Sequence, residues 1–492
     1  MAYQVLAWFL RIVSRVFFRQ VEVVGLEHVP ATGPVLFAGN HHNSLIDPIL
    51  IITTCGRKVQ FAAKDSLFKG RLMRGVLRGL GAVPVARKDD HDGTRAAPAP
   101  GPERPAEERA ITNDAAFAHM FAVLGAGGAI GIFPEGISHD ESQLARLKTG
   151  AARLALGGAT ATRQPVTVVP CGLVFIHPKR FRSRVLVQFG PPIVIAPEQP
   201  TEAADVRTVT AELDAALRRL TINAPDWETV RALDVVRRLY QPHEISIEER
   251  VELAHRFNAY YAQVAAIPRV VEVMLRVRAY QDRLDELGLT DRELARDLSK
   301  LEISARLFRH LVLVAFWLPL TVPGAPLHLP TVAFARLAGP RLTPRKDVVA
   351  TTKLLIGLGL VLASYAIAVS VLWWRAGLRW ALLASVILPM SGWATLRVLD
   401  RLRLVRRALG VLLRRARFRH EVRALRAERA ALTKDVVQVV AEVRPADMAL
   451  LFPADDPRRQ VDAEESWRAR QNADLDAEFD KDASEDADED HA

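Results

Sequence analysis

Hydrophobic positions along the 492-residue chain change period several times, and each change marks a different kind of element. Residues 2–19 place Val5, Trp8, Phe9, Ile12, Val16 and Phe17 around most of a helix, with Arg11, Arg15 and Arg19 four apart on the remainder. That pattern predicts an amphipathic helix at a membrane interface, with simple docking on a core as the alternative. Three charges argue against a span, and no small-residue cleavage site with a basic start marks a signal peptide. From about residue 20 the apolar positions fall into short β-branched runs separated by helical stretches. The runs are Val21–Val24, Val35–Ala38, Val59–Ala62, Ala82–Ala86, Ala129–Phe133, Val166–Val169, Leu173–Ile176 and Val185–Phe189. Strands alternating with helices predict an α/β domain over 20–200, a mostly parallel sheet flanked by helices. Residues 89–113, with Pro98, Pro100, Pro102 and Pro105, break the rhythm and read as a mobile insertion.

Residues 201–305 read as a helical extension packed on the sheet domain. Ser246 with Glu249, and Thr290 with Glu293, have capping-box spacing. The span 306–400 is the apolar part. Leu354–Trp374 is 21 residues without a charge, enough to cross a hydrocarbon core of about 30 Å. Trp380–Leu396 is a second span with Pro389 inside, and only Arg375–Arg379 lies between them, so 354–396 predicts a membrane hairpin. Leu311–Val322 and Pro326–Leu337 are each too short to span and predict a re-entrant pair, with a greasy docking surface as the alternative. A basic helical segment follows over 401–450 and an acidic, disordered tail over 451–492.

Charge refines this picture. The net charge is +10, yet residues 471–492 carry ten Asp/Glu against Lys481, so the tail is −9 and the other 470 residues are +19. A basic body suggests a polyanionic partner, nucleic acid or an anionic membrane surface. Position decides for the membrane: Arg341, Arg345, Lys346 and Lys353 precede the hairpin, and Arg401, Arg403, Arg406, Arg407, Arg414, Arg415, Arg417 and Arg419 follow it with no acid over 401–420. The positive-inside rule then puts both flanks, and the α/β domain, on the cytoplasmic face of a bacterial-type inner membrane. No nucleic-acid motif is present. Cys55 and Cys171 exclude a disulfide framework.

Four blocks in the α/β domain carry candidate chemistry. In Asn40-His41-His42-Asn43-Ser44-Leu45-Ile46-Asp47-Pro48, His42 and Asp47 are five apart across a strand-to-helix turn, where the carboxylate can fix the histidine tautomer and leave the other ring nitrogen free for a proton. Helix capping by Asn43, Ser44 or Asp47 is the bland reading. A metal site on His41 and His42 is disfavoured because adjacent side chains point apart. Gly81–Lys88 ends a strand on Arg87, whose fork suits a phosphate. Phe133-Pro134-Glu135-Gly136-Ile137-Ser138-His139-Asp140 ends another strand, and Lys148 precedes small residues at a helix start; both suit an anion. Val168-Val169-Pro170-Cys171-Gly172 reads as a strand-bearing turn that borders an acyl pocket at Pro170.

In this order the four blocks resemble those of the glycerolipid acyltransferase family, over about residues 20–195. The resemblance implies an O-acyltransferase in which His42 is the general base, Asp47 orients it, and Arg87, Glu135 and Gly136 line the phosphate-acceptor site, with Ser138 and Lys148 as further substrate-binding candidates. Where many lysophosphatidate-type members have Glu-Gly-Thr-Arg, this chain reads Glu135-Gly136-Ile137-Ser138, without the arginine. The wording is closer to the long glycerol-3-phosphate/dihydroxyacetone-phosphate type, as are Phe181-Arg182-Ser183 and the stretch Asn223–Glu228. The expected reaction moves a fatty acyl group from acyl-CoA or acyl-carrier protein to glycerol-3-phosphate, with no cofactor and no metal, in phospholipid biosynthesis. Lysophosphatidate is the alternative acceptor. A non-catalytic lipid-binding scaffold is the alternative of another class; it has no need of the ordered polar blocks.

Overall fold

The computed structural model describes residues 2–459 apart from 86–105, 176–177, 222, 224–226, 243–244, 246, 288, 290, 292–293, 295–299, 344, 418 and 446–447. Arg87, most of the proline-rich insertion, Ser246, Thr290, Glu293 and the acidic tail from 460 on lie outside the described residues. The chain forms two units. One is Met1–Asn223 joined by Thr343–Thr351, and the other takes in Ala224–Leu342 and the chain from Thr352.

The first unit is built on an eight-stranded sheet. Its strands are β1 (Gln20–Val24), β2 (Val35–Gly39), β3 (Val59–Lys64), β4 (Val83–Val85), β5 (Ala129–Ile132), β6 (Val166–Phe175), β7 (Arg184–Phe189) and β8 (Ile193–Ile195). Their order is β1-β7-β6-β2-β5-β3-β4, with β8 also on β6. All pairings are parallel except β6 with β7 and β6 with β8, so the sheet is mostly parallel, as expected. β2 is buried at every residue, which is why it reads as an unbroken apolar run. Side chains alternate across it: Leu36 and Ala38 join Ile130 and Val168 in one core, whereas Phe37 meets Phe189 edge-on at 5.9 Å.

Six helices accompany the sheet: α1 (Ala2–Phe17), α2 (Ile46–Thr54), α3 (Arg71–Gly79), α4 (Ala106–Gly125), α5 (Gly150–Thr162) and α6 (Ala203–Leu220). Residues 106–113, expected as the end of the insertion, are instead the first turns of α4. The two runs around Pro170 are one strand, not a strand-bearing turn. Proline is tolerated there because β6 changes partner at that point, from β8 at 166–168 to β7 at 171–175. α1 buries Leu10, Val13 and Phe17 against the unit and keeps Val5 and Trp8 more than 60% exposed, so it is docked on one face and apolar on another.

α6 belongs to the sheet unit, but the helices after it do not extend it. Trp227–Tyr240, Ile247–Val264, Pro268–Glu286 and Arg419–Val443 share a separate core around Tyr240, Tyr280, Leu432 and Val436. The stripe Val422, Leu425, Leu432, Val436 and Val439 draws the basic segment into that core.

Among the described residues two helices are long and apolar enough to cross a membrane, Lys346–Ala376 and Leu378–Arg406. They are parted only by Gly377, whose φ of 87° is open to glycine and strained for other residues. Upstream, Leu307–Thr321 and Ala325–Gly339 meet at a bend of 107°. Ser391 satisfies the break: its hydroxyl accepts from Gly324 N at 2.9 Å and donates to Thr321 O at 3.0 Å.

Candidate active site

β2 and β5 are parallel neighbours, so the loops leaving their carboxyl ends must meet. The first carries Asn40–Asp47 and the second Phe133–Asp140. Asn40 is clasped to β6: Leu173 N donates to its Oδ1 at 2.7 Å and its Nδ2 donates to Leu173 O at 3.0 Å. With the amide orientation fixed, Nδ2 also donates to His42 Nδ1 at 3.2 Å.

The buried Asp47 carboxylate is held by the residues around it, but not by His42. Its Oδ2 accepts from His41 Nδ1 and from Asn43 N, both at 2.8 Å. The structure therefore forms a histidine–aspartate pair at this turn with the other member of the His-His sequence. The backbone reason is that Asp47 sits in the first turn of α2 and its carboxylate folds back over the turn, where the buried His41 ring lies. That ring stacks on Phe133 at 4.2 Å and 8°, and Phe133 stacks in turn on Phe61. Gly131 makes the space, since a Cβ there would lie 2.3 Å from the Phe61 ring. Asp47 Oδ1 has no protein hydrogen-bond partner.

His42 keeps part of its surface accessible and lies 5.1 Å from the His139 ring. The protein around it pushes its pKa down; the charges of Glu135 and Asp47 oppose this, and His139 and His41 reinforce it. An imidazole so placed stays neutral at neutral pH.

Glu135 was expected to bind substrate. Its carboxylate is instead spent on the protein. It accepts from His41 N at 2.6 Å and from Ala145 N at 2.7 Å, and it pairs with His139 Nε2. Burial works to raise the Glu135 pKa and is outweighed by the His139 bond and charge, so the group stays ionised. Burial works to lower the His139 pKa and is outweighed by the bond to Glu135, so it lies above the ordinary histidine value. Ser138 is likewise engaged: its Oγ accepts from Ser44 N at 3.1 Å. Gly136 turns at φ 73°, and the Lys148 stem crosses it where a Cβ would lie 2.7 Å away. The loop thus brings Lys148 beside Gly136, with Lys148 N donating to Pro134 O at 2.7 Å. Pro170 is buried inside β6. His139 and Asn40 are site residues that the sequence left without a role, and Asn43 stood only as a candidate helix cap; their signal was membership of the two loops.

Comparison with known proteins gives these loops a context. Residues 20–174 match the family described as Acyltransferase, and residues 232–448 match the Glycerol-3-phosphate acyltransferase 2 C-terminal domain. The first match spans all four blocks, and the second spans most of the residues of the separate helical core. Glycerol-3-phosphate O-acyltransferase 2 of Saccharomyces cerevisiae is 26% identical over 437 residues, 68% of this chain and 58% of that protein. Glycerol-3-phosphate O-acyltransferase 1 of the same yeast is 26% identical over 456 residues, 73% of this chain and 59% of the relative. The chain therefore spans less than two thirds of the length of these two. A 1-acyl-sn-glycerol-3-phosphate acyltransferase of Borreliella burgdorferi is 30% identical over 168 residues, 34% of this chain and 58% of that protein. The solved 1-acyl-sn-glycerophosphate (LPA) acyltransferase of Thermotoga maritima is 19% identical, with a TM-score of 0.32 over 44% of this chain and 79% of that one.

Proposed function

We propose that the protein transfers a fatty acyl group from an acyl thioester to a hydroxyl of glycerol-3-phosphate. The observation that carries this reading is the meeting of the His41–Asp47 and Phe133–Asp140 loops beyond the ends of adjacent parallel strands, where open α/β sheets bind ligands. In the reaction the acceptor hydroxyl gives its proton to His42 as its oxygen attacks the thioester carbonyl. The tetrahedral intermediate then expels the thiolate, which takes the proton back from His42. No cofactor, metal or covalent enzyme intermediate enters these steps. Because Asn40 donates to His42 Nδ1, the neutral ring carries its proton on Nε2 at rest. Accepting a proton at Nε2 needs Nδ1–H, and we propose that His42 turns to place it on the unpartnered Asp47 Oδ1 when substrate binds. A second reading makes His41 the base, favoured by its direct bond to Asp47.

Arg87 and Lys148 hold the acceptor phosphate in this scheme, and Glu135, Gly136 and Ser138 shape the loop beneath it. The test uses the full chain in lipid vesicles with labelled acyl-CoA and three acceptors: glycerol-3-phosphate, dihydroxyacetone phosphate and lysophosphatidate. Glycerol-3-phosphate should be acylated fastest. Arg87→Ala should raise its KM about tenfold, since one fork-to-phosphate contact contributes about 1.5–3 kcal/mol. Acylation of lysophosphatidate alone would favour the reading suggested by the Borreliella relative. Acylation of none would leave the scaffold reading.

The spans add an orientation. We propose that Lys346–Ala376 and Leu378–Arg406 form a hairpin whose arginine-rich flanks and catalytic unit share the cytoplasmic side. A cysteine at Gly377 should react with an impermeant label from the side opposite to cysteines at Glu198 and Asp455. Reaction of all three from one side would sink the hairpin.

A further inference from the structure

The site holds one peptide that its own loop does not explain. Ser44 has φ 49°, a left-handed conformation that a non-glycine residue adopts at a cost of roughly 1–2 kcal/mol, and that persists where the surroundings hold it. The peptide joining Asn43 to Ser44 is held on both sides. Its N–H, from Ser44, donates to Ser138 Oγ at 3.1 Å. Its carbonyl, from Asn43, accepts from the Thr351 hydroxyl at 3.1 Å in a buried bond. Asn43 N also donates to Asp47 Oδ2, so this peptide leads directly to the carboxylate of the site.

Thr351 lies more than three hundred residues away. It belongs to Thr343–Thr351, a short stretch that packs with the α/β unit although the chain on either side of it belongs to the helical unit. Arg345, from the same stretch, donates through Nη2 to Ser138 O at 3.1 Å. The Arg345 guanidinium is braced by Asp347, with bonds of 3.2 and 2.8 Å, and Asp347 is buried. The bonds close a circuit: Thr351 to the 43–44 peptide, that peptide to Ser138, and Ser138 through Arg345 back to the stretch that holds Thr351. Thr160 and Thr162, by contrast, return their hydroxyls to their own helix.

We propose that Thr343–Thr351 is a strap that completes the reaction centre, with Thr351, Arg345 and Asp347 as positioning residues for acyl transfer. This rests on the reading of the site given above. The two loops carry different parts of the chemistry, His41, His42 and Asp47 on one and Glu135 and His139 on the other. They leave neighbouring strands and are joined directly by His41 N with Glu135 Oε1 and by His139 N with His41 O, and the strap adds a second tie farther along each loop. The strap ties the carbonyl of each, at Asn43 and at Ser138. Its far end is the first turn of the helix Val349–Ala376, which is long and apolar enough to cross a membrane. A small displacement of a positioned base is costly to rate, which gives the strap its effect on kcat.

The experiment again uses the full chain in vesicles with acyl-CoA and glycerol-3-phosphate. Thr351→Val removes the hydroxyl and little volume. It should lower kcat about tenfold or more and leave the acceptor KM within about twofold, the split expected when ground-state binding is intact. Thr351→Ser should restore most of the rate, because it restores the donor. Arg345→Gln should lower kcat similarly. Combined with Thr351→Val it should cost less than the product of the two effects, since both open one circuit. Should Thr351→Val fail to fold by limited proteolysis, Arg345→Gln carries the same expectation. A kcat within twofold of the parent in both variants overturns the strap, as does equal loss in Thr351→Val and Thr351→Ser. Undiminished turnover in His42→Ala and His41→Ala overturns the functional reading instead.

Discussion

His42→Ala should lower turnover by about 10²–10⁴-fold, the usual effect of removing a positioned general base, while the domain stays folded. Folding should survive because the ring makes one 3.2 Å bond with Asn40 and stays partly accessible. His41→Ala should behave differently. It removes a buried ring stacked on Phe133 and leaves Asp47 Oδ2 with Asn43 N as its remaining protein partner, so its main cost is to stability. The pair is measured by single-turnover acylation alongside protease resistance. An inactive but well-folded His41→Ala with near-normal His42→Ala would assign the base to His41. The pH profile is a second check. The folded pKa of His42 is lowered, so the ring loses its proton before the pH reaches the ordinary histidine value of 6.5. The acid limb of kcat/KM should therefore fall below pH 6.5, and activity should be fully developed at neutral pH.

The order of the blocks and the strands β1 to β7 were legible because they are short apolar runs that end on polar residues; β8, three residues flanked by Pro192 and Pro197, was not read as a strand. β2 with Asn40 and β5 with Phe133 are the clearest instances. Which histidine would take Asp47 was not legible. His41 and His42 are adjacent, spacing allows both, and the outcome depends on a stacking partner, Phe133, about ninety residues away and itself stacked on Phe61, for whose ring Gly131 leaves space. Pro170 misled for a related reason: proline reads as a turn, yet β6 changes partners there and can omit an N–H. The strap left no local trace. Arg345 read as juxtamembrane charge and Thr351 carried no reading, and only the folded chain shows that they close on Ser138 and Asn43. The two long apolar helices, by contrast, were readable from charge-free length, with the break between them falling at 375–379 as read, although the helices run on to Lys346 and Arg406.

Glu135→Ala should be the most damaging change in the second loop, because its buried carboxylate is bonded to three protein groups. Its oxygens serve the amides of His41 and Ala145 and the ring of His139, so one side chain joins three backbone segments. Each buried donor left unpaired costs roughly 1–3 kcal/mol, which puts the two amides together at roughly 2–6 kcal/mol. Activity should fall with stability, because His41 N anchors the turn that carries His42. Glu135→Gln is the sharper probe. It keeps the volume and one acceptor oxygen but turns an NH₂ group toward a donor, and it removes the charge that holds His139 protonated. The two shifts set the sign. The depressed pKa of Glu135 contributes stability above the ordinary carboxylate value, lost as pH falls through its folded pKa. The raised pKa of His139 contributes stability below the ordinary histidine value, lost as pH rises through its folded pKa. The parent should therefore resist proteolysis best between those two limits, and Glu135→Gln should lose both pH limbs along with most of the rate. A Glu135→Gln protein with the parent's pH profile and turnover would mean that the carboxylate does not join these segments, and that the loop is held by its other bonds, from Lys148 N to Pro134 O, Ser44 N to Ser138 Oγ and Arg345 to Ser138 O.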